Sequence, residues 1–178
     1  QPVSPSMDHR IAFGCYSVAV SHADGSLWCS GIGRGDRRLV RIDKGANPPE
    51  SCTAEFYEPP PGMEPDVIGS GGVEVDGNGV AWQNWRVSGH FSSFDRTLCD
   101  TTSDPQATGQ SCAEGWSFRR KNDPTYGDSF FHANESYLAH MDFHDTLGLG
   151  DDAPIYGSVN TDAMEVFSPN LGTYVTLR

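Results

Sequence analysis

Short apolar-polar alternations fill the chain. In its first third the runs CYSVAV, SLWCSGI, RLVRID and TAEFYE are rich in β-branched and aromatic residues, and the turn formers HADG, GRGDR and KGANPPES separate them. Runs of this length and period, bounded by Gly, Pro, Asn and Asp, read as strands. Four in succession predict a small antiparallel sheet. The pattern returns in GGVEVD, VAWQNWRV, HFSSFD and GWSFRR. A less regular third round follows in SYLAHMDFHDTLGLG, APIYGSVN, AMEVFS and TYVTLR, whose first run reads as a helical turn or a strand. No long amphipathic helix is predicted anywhere.

The rounds are copies of one unit. Val20 and Val75 lie 55 residues apart, Trp28 and Trp82 54, Asp43 and Asp95 52, and Cys52 and Cys112 60. The offset drifts only across turn-like stretches, because a one-residue slip inside a strand would turn its buried face outward. Repeats of this length point to arrays, solenoids or propellers, and a repeated four-stranded antiparallel sheet is a propeller blade. The expected fold is therefore all-β, a partial β-propeller of about three four-stranded antiparallel blades. Residues 1–10 form a linker or the tail of a missing segment, 11–66 blade 1, 67–123 blade 2, and 124–178 blade 3 with an inserted loop. Propellers have typically four to eight blades. Three are too few to close a ring unless identical chains complete it, so the expectation is a fragment of a larger propeller, truncated in its last unit.

Composition narrows the partners. The 178 residues carry a formal charge of −12, which argues against nucleic acid, whose phosphates are neutralised by Lys and Arg. No apolar run approaches the ~18 residues of a membrane span. Gln1 as first residue implies a removed leader or a cut from a longer protein, and the cut is the reading adopted. Cys15, Cys29, Cys52, Cys99 and Cys112 include no CxxC pair and no zinc-ligand spacing. Cys99 and Cys112 flank the turn-rich DTTSDPQATGQS and pair as a disulfide; the alternative is that all five are small buried apolar residues. An odd count leaves at least one thiol free.

Candidate chemistry falls in two places. His90 follows WQNWR in the Gly-bounded connection VSGHF. Its imidazole would exchange a proton near neutral pH, with Asn84 and Arg86 steadying a developing negative charge, a set suited to elimination or ester cleavage. The competing reading makes His90 a packing residue of a turn. His140, Asp142 and His144 alternate in HMDFH and would share one face of a strand, forming a cation site; the competing reading is a solvated surface. DGNG lacks the rest of a calcium loop and reads as a hairpin turn. GIGRGD lacks the strand-to-helix context of a dinucleotide site. Trp28 and Trp82, at matching places, wedge between neighbouring sheets, whereas Trp85 and Trp116 read as either core or ligand platforms.

The runs DGSLW with LVRID, and DGNGVAW with GHFSSFD, resemble blade motifs of the streptogramin lyase (virginiamycin B lyase)-like and NHL-type propellers. Taken in order, RIAFGCYSVAV, GANPPES, GHFSSFDRTLC, TGQSCAEGW and TLGLGDD are similar to large bacterial proteins of that group, and together they extend over nearly the whole chain. The resemblance implies a secreted or periplasmic bacterial protein, with a carboxypeptidase-regulatory-like domain ahead of the propeller. It also implies loops that take a small molecule or a protein, and packing against the remaining blades of a full-length chain. The alternative it implies is a lyase-like enzyme that opens a cyclic ester by elimination, with a divalent cation, Mg²⁺ or Ca²⁺, as cofactor. The lyases' His/Glu catalytic set matches no residue here.

Overall fold

The computed structural model describes residues 13–31, 37–63, 69–86, 88–99, 112–119, 136–158 and 163–177. These form three four-stranded antiparallel sheets, each a meander in chain order. The first contains β1 (Ser17–Val20), β2 (Leu27–Ser30), β3 (Leu39–Asp43) and β4 (Thr53–Tyr57). The second contains β5 (Ser70–Val75), β6 (Ala81–Trp85), β7 (His90–Phe94) and β8 (Trp116–Arg119). The third contains β9 (Ser136–Asp142), β10 (Ala153–Ser158), β11 (Ala163–Ser168) and β12 (Thr173–Leu177). The run SYLAHMD is thus a strand.

Acidic side chains set the first hairpin of each sheet by replacing backbone acceptors, as Asx turns do. Asp24 Oδ1 accepts from Ser26 N at 3.0 Å. Asp76 Oδ1 accepts from Asn78 N and Val80 N, both at 2.9 Å, and its Oδ2 accepts from Trp82 Nε1 at 3.0 Å. Gly79 closes that turn at φ 85°, a conformation that a side chain would disfavour.

The sheets stack as blades. β1 packs on β5 and β5 on β9, so the first strand of every unit lies innermost. Register confirms the repeat residue by residue: Trp28 pairs with Arg41 as Trp82 pairs with Ser93. Trp28 fills the first seam with Leu39, Tyr57, Val73, Trp85, Phe94 and Trp116. Trp82 fills the second with Phe91, Met141, Tyr156 and Phe167. Each indole removes on the order of 200 Å² from water, about 5 kcal/mol of transfer free energy. Trp85 and Trp116, left open above, are both buried in the first seam.

Polar groups lock both seams. Glu55 of β4 is bound by Arg41 within its own sheet and by Arg96, from the 3-10 turn Arg96–Leu98 that follows β7. In the second seam the Tyr174 hydroxyl of β12 accepts from Phe91 N at 3.0 Å and donates to the Arg119 carbonyl. Two disulfides, Cys15–Cys29 and Cys99–Cys112, are formed, and Cys52 is a free, exposed thiol. No helix among the described residues is long and apolar enough to cross a membrane.

Candidate functional site

Three first hairpins converge at one end of the stack. Gly77 N donates to Asp152 Oδ1 at 2.9 Å, linking the β5–β6 turn to the β9–β10 loop. A Cβ on Gly79 would stand 3.2 Å from the Ala23 Cβ in the β1–β2 turn. The inner strands deliver three groups to this junction: His22 just past β1, Glu74 on β5, and His140 on β9. Phe143 ties the two histidines together. Its ring meets His22 edge to face at 5.7 Å and 89°, and His140 at 6.0 Å and 81°. His144 lies against the same ring at 6.5 Å.

Glu74 pairs with Trp82 across the hairpin, so it looks toward the third sheet. It is half-buried, and no hydrogen-bond donor reaches its carboxyl among the described residues. Burial therefore raises the carboxyl above its ordinary range, and attraction to His140 and His22 offsets this only in part. The cluster offers one under-solvated carboxylate, exposed imidazoles that donate or accept, and an aromatic surface.

Of the candidates named from sequence, His140 belongs to this cluster. Asp142 does not: its carboxylate accepts from the backbone N–H groups of His144 (3.4 Å), Thr146 (3.0 Å) and Leu147 (2.9 Å). Burial opposes its charge, but these donors outweigh that and hold it below the ordinary range. β9 ends at Asp142, which leaves His144 on the turn. Among the described residues no three His, Cys, Asp or Glu side chains are grouped to hold a metal ion. Mg²⁺ or Ca²⁺ thus finds no ready-made ligand set there.

His90, Arg86 and Asn84 lie at the opposite end, around the β6–β7 connection. Asn84 pairs with Phe91 and faces the third sheet, whereas His90 pairs with Trp85 and faces the first. Strand alternation separates the two side chains. Asn84 is fully buried, and its Oδ1 accepts from Gly72 N at 2.6 Å. It fills the space a Cβ on Gly71 would need, 2.6 Å from that oxygen. Arg86 N donates to the Gly69 carbonyl, and Gly89 O accepts from the Tyr156 hydroxyl at 3.2 Å. His22 and Glu74 escaped the sequence reading. The available signal was an acidic residue inside the apolar run GGVEVD, one unit before a histidine at the matching place on β9.

No family model matches the sequence, and no curated protein matches it. Among solved structures, a catalytically inactive virginiamycin B lyase from Staphylococcus aureus with quinupristin aligns at a TM-score of 0.59 and 9% identity, over 95% of this chain and 42% of that one. A streptogramin B lyase structure aligns at 0.57 and 13%, over 92% and 40%. Selenomethionine-substituted virginiamycin B lyase from Staphylococcus aureus aligns at 0.56 and 11%, again over 92% and 40%. The chain spans about two fifths of the length of these neighbours, and at such identities the likeness is one of fold: an all-β partial propeller of about three blades.

Proposed function

We propose that this chain is a β-propeller module working outside the cytoplasm, which binds a ligand where the three first hairpins meet, through Glu74, His22, His140 and Phe143. The observation that carries this reading is the Glu74 carboxyl, half-buried beside two imidazoles without a hydrogen-bond donor among the described residues. Half-burial strips part of the water from this carboxylate, and a ligand that donates to it would replace what is lost. The two disulfides support an oxidising compartment. A protein-detected NMR screen with small amines, carboxylates, sugars and aromatic fragments tests it. Binders should shift residues 21–26, 74–80 and 140–152, and His22→Ala should weaken them at least fivefold. Shifts confined to residues 84–90, or none with any fragment, would overturn the site.

A second reading, cleavage of a cyclic ester by elimination, draws on the same carboxyl, because a raised pKa beside imidazoles suits proton transfer. Quinupristin, present in one neighbouring structure, is the probe. Mass-spectrometric detection of a ring-opened product, lost in Glu74→Gln, would favour it; intact quinupristin after prolonged incubation with Mg²⁺ would remove it.

A further inference from the structure

The three first hairpins, residues 17–30, 70–85 and 136–158, contain seven acidic residues, three histidines and neither lysine nor arginine. Most of these carboxylates are held by neutral N–H groups. Asp76 accepts from Asn78 N, Val80 N and Trp82 Nε1, Asp142 from three backbone amides, Asp145 from Gly150 N at 2.7 Å, and Asp152 from Gly77 N. Such donors orient a carboxylate but bring no formal charge to cancel its own. Of the seven, only Asp24 is ion-paired to an arginine among the described residues, to Arg41 at 2.8 Å. The junction of the hairpins therefore carries a negative field, which draws cations and repels anions.

Within that field the Glu74 carboxyl attracts His140 and His22 but takes no hydrogen bond from a described residue. The Phe143 ring, in contact with both histidines, is only partly buried. An inorganic dication needs a shell of several ligands, and no three acidic, histidine or cysteine side chains are grouped for one among the described residues. An alkylammonium asks for less. Its three N–H groups divide between one carboxylate and neutral imidazole nitrogens, and its charge and methylenes lie well against an aromatic ring.

We propose that the junction binds a small primary amine in its ammonium form, which donates to Glu74 and to an acceptor nitrogen of His22 or His140 and lays its methylenes on Phe143. This rests on the ligand site proposed above and names the class of its ligand.

Protein NMR titrations with n-butylammonium, 1-butanol, butyrate and tetramethylammonium test it, at constant ionic strength and about pH 8, where an alkylamine is protonated and a free imidazole is not. n-Butylammonium should shift residues 21–26, 74–80 and 140–152 and bind about tenfold more tightly than 1-butanol or butyrate, the factor that one charge-assisted hydrogen bond supplies. Tetramethylammonium, charged but without an N–H, should bind no better than 1-butanol. Glu74→Gln keeps the shape of the side chain and should bring n-butylammonium down to the affinity of 1-butanol, with shifts outside these segments unchanged as the mark of an intact fold. Butyrate or 1-butanol bound as tightly as n-butylammonium overturns the ammonium class and leaves the site standing. Tetramethylammonium matching n-butylammonium, or an affinity that survives Glu74→Gln, means that charge alone is read, and the proposal falls. No shift in those segments with any of these probes also overturns it; sugars or aromatic fragments that still shift them would then show the site intact and its ligand of another class.

Discussion

Arg96, from the second sheet, grips Glu55 of the first with two donors: Nε reaches Oε2 at 2.7 Å and Nη2 reaches Oε1. Arg41 Nη1 approaches the same Oε2 at 3.3 Å, and the Tyr57 hydroxyl donates to it at 2.7 Å. The Glu55 side chain is 5% exposed, so removing a donor leaves a buried charge short of partners. Arg96→Ala should lower stability by about 2 kcal/mol, read by urea denaturation. Arg96→Lys should lose less, because it keeps the charge and gives up only the two-pronged geometry.

The same carboxylate sets an acid-side slope. Burial alone would raise it, but the bonds from Arg96 and Tyr57 and both guanidinium charges hold it below its ordinary range. The unfolded chain takes up the proton first as pH falls. Stability from Glu55 is therefore complete above about pH 4.3 and is lost as pH drops through the folded value. Glu55→Gln should be less stable than the parent at pH 7, with a flatter decline between about pH 5 and 3. An unchanged slope in thermal melts across that window would contradict this assignment.

Glu74 gives the opposite sign. Burial holds its carboxyl up, so the native chain takes the proton before the unfolded one, and the charged form costs stability at neutral pH. Glu74→Gln should melt higher than the parent at pH 7. Its advantage should shrink as pH falls through the folded value toward about 4.3. A Gln variant less stable at pH 7 would reveal a donor to this carboxylate.

Thiol titration of the unfolded, unreduced protein should find one reactive cysteine, Cys52, and Cys52→Ser should abolish the signal. Cys99 and Cys112 close a loop with a sequence separation of 13. Replacing both with Ala should lower stability by about 3 kcal/mol in the chain-entropy account of cross-links. A loss well under 1 kcal/mol would show the loop constrained by its packing alone.

The alternating runs made the three sheets legible, because period-two burial and turn residues are local properties, and the aligned Trp28 and Trp82 exposed the repeat. The candidate site was less legible, since His22, Glu74 and His140 are brought together only by three strands meeting from different sheets. Asn84 and His90 show the converse. They are near in sequence, yet the β6–β7 connection and strand parity send them to opposite faces. Cys15–Cys29 was equally hidden: Cys15 precedes β1 and reaches across to β2, a reach that spacing does not encode.

Tyr174 has a mechanical consequence. Its hydroxyl bridges β7 and β8 from the last strand of the next sheet. Tension applied at the C-terminal end must shear this rivet before β12 can peel, so the load is shared by eight strands. Tension applied at Phe13 instead passes through the Cys15–Cys29 disulfide straight to β2, and it spreads to the second sheet through the Ser17–Val73 and Ser30–Gly71 hydrogen bonds, the Glu55 clasp and the indole seam.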